Sequence, residues 1–487
     1  MSVLIPGETC WRTEPADRCA FLVDTEAYFT ALYAAFRKAR RSILILGWAF
    51  DPRTRLFPDG KDGPDDPDEV GHVLLRLARE RPELEIRLLI WESSLPIAAT
   101  QEFFPHKARK WFAGSRVQFR LDDQVPFGAC HHQKVVVIDD RLAFCGGGDI
   151  GVDRWDTPGH LEVDLRRIMP DQECHAPRHE VMMMVDGAAA RALGEHVRER
   201  WRCSTRRRDE LTPPPDAGGD PWPDHVPPHL NQVNVSIART APPWRDRQPV
   251  DELLRLTLAS IAAAKEAIYL ENQYFTSPVI TEALARRLTE PDGPEVVLVS
   301  TGFSPSWFDK LAMDNVRVAM LWRLRAADVF HRLRAFYPRT AAGSAIIVHS
   351  KVGFFDDRLA RVGSANLNNR SFGFDTEIEL AVEAKDDEQR IVLSAMRDRL
   401  VGHFLGYTGD AVTKARAEHG GSLVRAIDAL NREGRLGEIP LKRRNPVAEF
   451  VTAYHLGDPS APADSWRPWR RRERLFDAAR AVSDAAR

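Results

Sequence analysis

The chain of 487 residues is too long for a single hydrophobic core of ordinary size, so two or three folded units are expected. Hydrophobic residues make up 44% and charged residues 28%, which excludes the disordered and fibrous classes and indicates a packed interior. The formal net charge of -2 excludes a field that gathers nucleic acid over the whole surface, so any polyanion must bind at a local patch.

Apolar runs bounded by turn signals predict buried strands, and segments of helical periodicity between them predict amphipathic helices. This strand–helix–strand alternation occurs twice and predicts α/β units. In chain order the predicted elements are a strand in SILILGWAFD (42–51), a helix in VGHVLLRLARER (70–81), a strand in ELEIRLLIWESS (83–94), a strand in AIYLENQYF (267–275), a helix in ITEALARRL (280–288) and a strand in PEVVLVSTGFS (294–304).

A segment rich in Pro and Gly, ELTPPPDAGGDPWPDHVPPHL (210–230), separates the two sets of elements. Because it cannot continue a helix or a central strand, we predict a linker there, between one unit at 1–209 and another at 231–405. The remaining residues, 406–487, are helical in pattern and basic, with no counterpart in the first half. They predict a helical C-terminal extension.

The N-terminal sequence lacks the basic segment followed by an apolar stretch that marks a secretory leader, and no run of 18 or more apolar residues follows it. The six cysteines are scattered and form no CxxC pairs, so reduced thiols are expected. We expect a cytoplasmic protein with peripheral contact to a membrane. A secreted chain whose leader has been removed is the alternative.

The pattern H-x-K-x-x-x-x-D occurs twice, as HQKVVVID (132–139) and HSKVGFFD (349–356), 217 positions apart. The similarity continues through the following turn and strand to Gly146 in the first copy and Gly363 in the second. A match of this length indicates a duplicated chain.

Side chains alternate along a strand, so His132 and Lys134 are expected on one face and Asp139 on the other. The same holds for His349, Lys351 and Asp356. We therefore expect the two aspartates to tether local backbone or a basic side chain, and not to act as catalytic bases. A lone histidine on an apolar strand is usually a core residue, but related halves can pack about a local two-fold axis and bring both motifs into one cleft.

Two imidazoles and two ammonium groups in one cleft suit phosphodiester chemistry. The lysines can neutralise phosphate oxygens, while one imidazole attacks phosphorus and the other protonates the leaving alcohol. No metal or cofactor is required, and no cluster of Cys, His and carboxylates near the motifs has zinc spacing. A carboxylate partner fixes the proton of such an imidazole, and Glu180 and Glu377 are the candidates; solvated acids at strand ends are the alternative.

Two further segments follow the motifs, GGGDIGVDRWD (146–156) and GSANLNNRS (363–371). Together with GWAFDPR (47–53), RHEVMMMVDG (178–187) and YLENQYFTS (269–277), they resemble the phospholipase D superfamily over roughly residues 40 to 400. The resemblance implies two duplicated α/β/α sandwich lobes with pseudo-two-fold symmetry. It also implies one shared active site at their interface and a covalent phosphohistidine intermediate.

By this resemblance His132 is the nucleophile and His349 the general acid, although the residues alone leave the reciprocal assignment open. Asn366 joins the two lysines in holding phosphate. Glu377 lies where the family places the carboxylate that orients a histidine, and Glu180 stands where many relatives have Asp. Asp149 matches Asn366 in position, but an ionised carboxylate repels phosphate, so we expect it to bind backbone or a basic neighbour. Structural roles are expected for Asp139, Asp356, Asp149, Gly146, Gly363 and Ser364.

Apolar segments with aromatic residues at 97–112 and 303–313 favour a phospholipid interface, and the Arg-rich segment 465–476 favours an anionic membrane. Amphipathic core helices and a solvated helix are the alternatives. We expect a phospholipase D that cleaves head groups from glycerophospholipids as a monomer, with no nucleic-acid partner. A cardiolipin synthase-like phosphatidyltransferase, a nuclease of the same superfamily and an inactive lipid-binding scaffold are the competing hypotheses.

Overall fold

The computed structural model describes residues 2–59, 68–93, 105–204, 211–215, 218–304, 310–441 and 457–462. Within them, one 16-stranded sheet runs through both halves of the chain, and a separate pair of short strands joins the halves. The first half contains strands β1 Arg12–Val23, β2 Ser42–Gly47, β3 Glu85–Trp91, β4 Gln118–Asp122, β5 Val135–Ile138, β6 Leu142–Gly146, β7 Arg178–His179 and β8 Val181–Asp186, with helices α1 Thr25–Lys38, α2 Val70–Glu80, α3 Pro105–Trp111 and α4 Gly187–Cys203 and a 3-10 turn at Leu165–Arg167.

The second half repeats this series of elements and adds a C-terminal part. Its strands are β9 Leu230–Ala241, β10 Val250–Asp251, β11 Ala267–Glu271, β12 Glu295–Val299, β13 Leu333–Pro338, β14 Ile347–Val348, β15 Val352–Phe355, β16 Leu359–Gly363, β17 Glu377–Glu383 and β18 Leu436–Glu438; its helices are α5 Glu252–Ala263, α6 Pro278–Thr289, α7 Asn315–Ala327 after a π-helical turn at Lys310–Asp314, α8 Asn369–Gly373, α9 Asp387–Leu405, α10 Gly409–Glu418 and α11 Leu423–Leu430.

The strand order shows the duplication directly. From the centre outward, the first half runs β1-β8-β6-β5-β2-β3-β4 and the second runs β9-β17-β16-β15-β11-β12-β13, so each of these strands has a counterpart. The central strands β1 and β9 pair antiparallel, with Arg12 opposite Ile237. This arrangement confirms the predicted pair of α/β lobes with pseudo-two-fold symmetry.

The six elements predicted from periodicity are all present, as β2, α2, β3, β11, α6 and β12. The strands are shorter than the apolar runs that predict them. Strand β2 ends at Gly47 because the next two amide groups, of Trp48 and Ala49, donate to the Asp149 side chain instead of to a neighbouring strand. Side-chain bonds of this kind end a strand that hydrophobicity alone would continue.

Three large hydrophobic cores hold the layers together within the described residues, and a smaller fourth cluster lies around Trp91 and Phe374. Helices α1, α2 and α3 cover the outer face of the first half, and α5, α6 and α7 cover that of the second. The largest core lies inside, where the inner faces of both halves meet, together with α4 and α9. Strands β6 and β8 pack there against β16 and β17, which brings the two motif-bearing hairpins together.

The linker predicted at 210–230 contains no helix or strand in its described residues before β9 begins. It is nevertheless anchored, because the buried Trp222 ring packs in the outer core of the first half. Beyond α9, the extension contains the two helices α10 and α11, and also a strand that the sequence did not predict: β18 pairs antiparallel with β13 at the sheet edge. The basic segment 465–476 lies outside the described residues. No helix within the described ranges is both long and apolar enough to cross a bilayer.

Candidate active site

Both H-x-K motifs lie on segments directly before strands β5 and β15. The sequence analysis placed them inside the strands, where side chains alternate between the two faces. The reason is their backbone bonding. The amide group of His132 donates to the carbonyl of Thr376 over 3.0 Å, and that of His349 donates to the carbonyl of His179 over 2.9 Å. Each motif is therefore bonded to the opposite half of the chain at the seam.

The two imidazoles are held by carboxylates that cross the seam. His132 Nδ1 lies 2.9 Å from Glu377 Oε2, and His349 Nδ1 lies 2.6 Å from Glu180 Oε2. Each glutamate thus serves the motif of the other half and not the motif that it follows in the chain. Both glutamates are buried, so the interpretation of solvated acids is wrong for both.

The two carboxylates differ in their other partners. Glu377 accepts a hydrogen bond from Ser371 Oγ over 2.6 Å and another from the hydroxyl of Ser364. Glu180 accepts from the amide of Val181 over 3.2 Å. Ser364 was predicted as structural, and the role of Ser371 was missed, although it lies in the segment GSANLNNRS. Its hydroxyl is recognisable as a partner only once the fold places it beside Glu377.

Both motif lysines are buried, each 2% exposed. Lys134 Nζ donates to the His132 carbonyl over 3.0 Å and lies 3.1 Å from Asp149 Oδ2. Lys351 Nζ donates to the carbonyl of His349. Buried ammonium groups with few protein partners retain hydrogen-bonding capacity for an anion.

Asp149 contacts both kinds of partner that the sequence analysis considered for it. Its Oδ1 accepts from the amides of Trp48 and Ala49 over 2.9 and 3.2 Å, and its Oδ2 faces Lys134. Asn366 is buried, and its backbone amide donates to Ser371 Oγ over 3.0 Å. Its side-chain oxygen has no hydrogen-bond partner within the described residues. A phosphate-binding role for Asn366 stays a prediction.

The motif aspartates lie just beyond β5 and β15, in turns where both have φ of 54°. They therefore fall outside the strand alternation used to place them. Their carboxylates tether backbone amides at and just before the start of the neighbouring antiparallel strand, β2 or β11. Asp139 accepts from Arg40, Arg41 and Ser42 over 2.7 to 2.8 Å, and Asp356 accepts from Lys265, Glu266 and Ala267 over 2.8 to 3.1 Å.

Gly146 and Gly363 end the second strand of each hairpin, at positions where a side chain has no room. A Cβ on Gly146 would lie 2.6 Å from the carbonyl oxygen of Val181, and one on Gly363 would lie 2.6 Å from Glu379 Cα. Both neighbours are backbone atoms that cannot turn aside. The close approach lets the hairpin lie directly against β8 or β17, each of which begins beside a site glutamate.

Burial and positive charge set the protonation of the site. Burial, with the ammonium groups of Lys134 and Lys351, lowers the pKa of His132 well below its usual value, so its imidazole is neutral near pH 7. Burial likewise lowers the pKa of His349, with added effects of Lys351 and Lys134. Each lysine thus acts on the imidazole of the other motif. Burial also raises the pKa of Glu377 well above its usual value, against the bonds from its two serines.

A second titrating pair lies beside His349. Burial raises the pKa of Glu180 to about 7 and lowers the pKa of Lys351 to about 7. Arg154 and Arg178 contribute further positive charge here and depress the pKa of His349. Sequence reasoning missed both arginines, although Arg178 directly precedes the His-Glu pair of RHEVMMMVDG.

Residues 35–217 match the family model described as phospholipase D, and residues 257–396 match the one described as cardiolipin synthase, PLD-like domain. The chain belongs to the phospholipase D superfamily. The two matches cover the two halves in turn, one motif in each. The predicted family membership is therefore confirmed.

Within the superfamily, the chain is similar to phospholipase D A of Dictyostelium discoideum, with 24% identity over 431 residues that cover 75% of this chain and 32% of the relative. It is also similar to cardiolipin synthase A of Pseudomonas putida, with 26% identity over 370 residues that cover 74% of this chain and 63% of that protein. The chain thus spans about a third of the length of the first phospholipase D relatives.

Among solved structures, the phosphatidylserine synthase of Haemophilus influenzae Rd KW20 has the same fold, with a TM-score of 0.56 and 13% sequence identity. The superposition covers 85% of this chain and 96% of that structure. At this identity the likeness concerns the fold alone.

Proposed function

We propose that the protein is a phospholipase D-type phosphodiesterase and phosphatidyltransferase that removes the head group of glycerophospholipids through a covalent phosphohistidine. The observation that carries this proposal is the crossed pairing of His132 with Glu377 and of His349 with Glu180. It supplies two oriented imidazoles at one seam, with Lys134 and Lys351 beside them. Such a set can split displacement at phosphorus into two steps.

His132 is the better nucleophile of the two histidines. Glu377 is fixed by two serine hydroxyls, so it holds the Nδ1 proton of His132 in place and leaves the lone pair on Nε2. The lowered pKa of His132 keeps this ring neutral, as attack requires. The side chain is also the more exposed, at 15% against 8% for His349.

In the first step His132 Nε2 forms a bond to phosphorus, and the bond from phosphorus to the head-group oxygen breaks. The leaving oxygen takes the electron pair of that bond and a proton from the His349–Glu180 pair. Because the pKa of Glu180 is about 7, this pair can give up and regain a proton near neutral pH.

In the second step water or another alcohol returns a proton to the His349–Glu180 pair while its oxygen attacks phosphorus. The P–N bond breaks and His132 is regenerated. Water gives phosphatidic acid, and an alcohol gives a new phosphodiester. Lys134, Lys351 and Asn366 are assigned to the non-bridging oxygens, where their donors stabilise the charge that develops at five-coordinate phosphorus.

An apolar surface supports contact with a lipid aggregate. Leu161, Val163 and Leu165 are 53, 72 and 77% exposed on the segment between β6 and β7, and β7 pairs with β14 directly before His349. Three exposed apolar side chains within five positions suit contact with a lipid surface. Of the aromatic segments named from sequence, residues 97–104 and 305–309 lie outside the described residues. Phe112 and Met313 are buried, as core-helix residues would be, whereas Phe303 is 47% exposed.

The covalent intermediate is the decisive test. Purified enzyme mixed with a phospholipid of labelled phosphate is stopped in denaturant at alkaline pH, because P–N bonds hydrolyse in acid, and digested for peptide mass spectrometry. A phosphatidyl adduct is expected on the peptide that contains His132, and none in His132→Ala. Turnover of phospholipid without an adduct would contradict the covalent route, and neither adduct nor turnover with any phosphodiester would favour the inactive scaffold.

A second candidate is transfer to a lipid alcohol, the activity named in the cardiolipin synthase relatives. The match of residues 257–396 to the cardiolipin synthase-like domain favours it. Incubation of phosphatidylglycerol vesicles with and without ethanol separates the two reactions. Phosphatidic acid and phosphatidylethanol are the expected products, cardiolipin indicates the second candidate, and cleavage of nucleic acid alone would favour a nuclease.

A further inference from the structure

A buried cluster of one aspartate and three histidines lies next to the candidate active site and takes no part in the proposed chemistry. Potential ligand atoms of Asp24, His160, His179 and His403 all lie within 4.8 Å of one another. The cluster adjoins Glu180, because the Asp24 amide donates to the Glu180 carbonyl over 2.7 Å. No member belongs to either H-x-K motif.

The hydrogen bonds of this cluster leave two ring nitrogens, those of His160 and His403, facing each other. His160 Nδ1 lies 2.8 Å from Asp156 Oδ2, a carboxylate oxygen that accepts, so His160 donates there and its Nε2 carries a lone pair. That Nε2 lies 2.9 Å from His403 Nε2. At most one proton fits between two ring nitrogens at this distance, and a proton placed there still leaves the neighbouring carboxylate unsatisfied.

The unsatisfied atom is Asp24 Oδ2. Asp24 is only 1% exposed, and this oxygen has no hydrogen-bond partner within the described residues. It points toward His403 Nε2, 3.4 Å away, while the other oxygen of Asp24 lies 3.6 Å from His160 Nε2. A buried carboxylate oxygen without a partner is costly, and a cation is the group that satisfies it together with two nitrogen lone pairs.

We propose that Asp24, His160 and His403 bind a divalent transition-metal ion, with Zn²⁺ the best match. Zinc bonds of about 2.0 to 2.1 Å in a tetrahedron place neighbouring ligand atoms roughly 3.3 Å apart. His403 Nε2 lies 2.9 Å from His160 Nε2 and 3.4 Å from Asp24 Oδ2, two separations close to that value. The other oxygen of Asp24, Oδ1, lies 3.6 Å from His160 Nε2. Two imidazoles and one carboxylate are also a ligand set that suits zinc, while Mg²⁺ and Ca²⁺ prefer oxygen alone.

The surroundings orient these ligands as partners of metal-binding residues do. Asp156 fixes the ring of His160, and His179 joins Asp24 to Glu271 through bonds of 2.8 and 2.9 Å. Donation to Asp156 raises the basicity of His160 as a ligand, and the bonds through His179 fix the position of Asp24. Asp24 itself has φ of 65° and ψ of 160°, a backbone conformation that residues other than glycine rarely adopt. The fold therefore holds the Asp24 carboxylate in place although the backbone at Asp24 is strained.

The ligands of the proposed ion come from both halves of the chain, so the ion would join the halves. Asp24 and His160 belong to the first half, and His403 lies near the end of α9 in the second, so the ion bridges the halves. Asp24 is bonded to Glu180, which in turn holds His349. The bound ion therefore stabilises the seam and the orientation of His349 without contacting substrate. This inference stands apart from the proposed phosphohistidine chemistry.

Metal content of the full-length protein tests the proposal. After dialysis against Zn²⁺ and removal of free metal, we expect about one zinc per chain by elemental analysis, and tetrahedral visible bands after exchange to Co²⁺. Chelation should lower Tm, and adding Zn²⁺ should restore it. His403→Gln and Asp24→Asn should each lose the ion, whereas His72→Gln, a change at an exposed histidine, should keep it.

Wild-type protein that retains less than about a tenth of an equivalent and shows no change in Tm with Zn²⁺ would overturn the site. Equal zinc content in wild type, His403→Gln and Asp24→Asn would overturn the ligand assignment. The wild-type measurement alone decides whether the protein binds zinc, so the test does not depend on whether the variants fold. Loss of zinc binding with phosphohistidine formation intact, or the reverse, tells the failure of one proposal from that of the other.

Discussion

The Nδ1 atom of His132 lies 2.9 Å from the Oε2 atom of Glu377, a residue of the opposite half of the chain. The counterpart pair, His349 and Glu180, crosses the seam in the other direction. Orientation of each imidazole therefore depends on contact between the halves, and mutations at the carboxylates should report on this dependence.

Replacing Glu377 by Gln should lower kcat by about 10²- to 10⁴-fold with a small change in KM, because an amide no longer fixes the Nδ1 proton of His132. Steady-state head-group release from phospholipid measures the effect. Glu383→Gln is the matched control, since Glu383 lies on the same strand and binds Arg358 away from the seam. A Glu377→Gln enzyme as active as this control would remove Glu377 from the orienting role.

His132 and His349 should differ in their dependence on the leaving group. His349→Ala should slow release of an alcohol head group by about 10²- to 10⁴-fold, because the alcohol leaves only with a proton. The same change should affect a nitrophenyl phosphodiester much less, because the nitrophenolate anion leaves without a proton. His132→Ala should abolish both reactions. Rates with the two substrates measure the difference, and the opposite pattern would exchange the roles of the two histidines.

Asp139→Ala should destabilise the protein by roughly 3 kcal/mol, because three backbone amides at the start of β2 lose one charged acceptor. Denaturant unfolding measures this loss, and kcat per folded molecule should stay unchanged. Glu83→Ala, at an exposed position nearby, is the control. A large fall in kcat without a fall in stability would give Asp139 a catalytic role that its tethering position does not support.

Glu180 should make stability depend on pH. Burial raises its pKa from 4.5 to about 7, so between these values the folded protein keeps a proton that the unfolded chain has released. This contribution to stability is complete below pH 4.5 and declines as pH rises through 7. The unfolding free energy of wild type relative to Glu180→Gln should fall by roughly 3 kcal/mol over that range.

Urea unfolding of both proteins from pH 4.5 to 7 measures this difference. The comparison stays below pH 7 because the lowered pKa of Lys351, about 7, produces the opposite trend at higher pH. A difference between the two proteins that does not vary with pH would show that Glu180 has an ordinary pKa.

Changing Leu161, Val163 and Leu165 together to Ser should weaken binding to phospholipid vesicles about tenfold or more, since each residue loses apolar area that would enter the interface. Turnover of a soluble short-chain phospholipid should stay the same. Ile391→Ser is the control, because Ile391 is 70% exposed on α9 and lies outside this surface. Equal vesicle binding by the triple variant and the control would place the membrane contact elsewhere.

Much of the fold could be predicted from the sequence because its signals are local. Apolar runs and helical periodicity located β2, α2, β3, β11, α6 and β12, and the 217-residue offset revealed the duplication. Strand β18 was missed because it has three residues, too few for a period to be read. The motif residues were placed inside strands because alternation carries no information on where backbone bonding to the opposite half begins.

The residues of the candidate site were identifiable, but their pairing was not. Glu180 and Glu377 each follow one motif, and nothing in the chain tells that each orients the histidine of the other, since the crossing arises from tertiary packing. Asp24, His160 and His403 escaped notice for a related reason. They span almost 380 positions without the close spacing by which metal ligands are recognised in sequence.

The exchange of carboxylates across the seam makes the two halves mutually dependent. Moving them apart by a few ångströms would separate both imidazoles from their carboxylates at once, so the proposed attack on phosphorus and the proposed proton delivery would fail together. Neither half by itself contains both a motif histidine and the glutamate that orients it. An isolated lobe is therefore expected to be inactive even if it folds. In the proposed mechanism, catalytic competence is thus a property of the assembled pair.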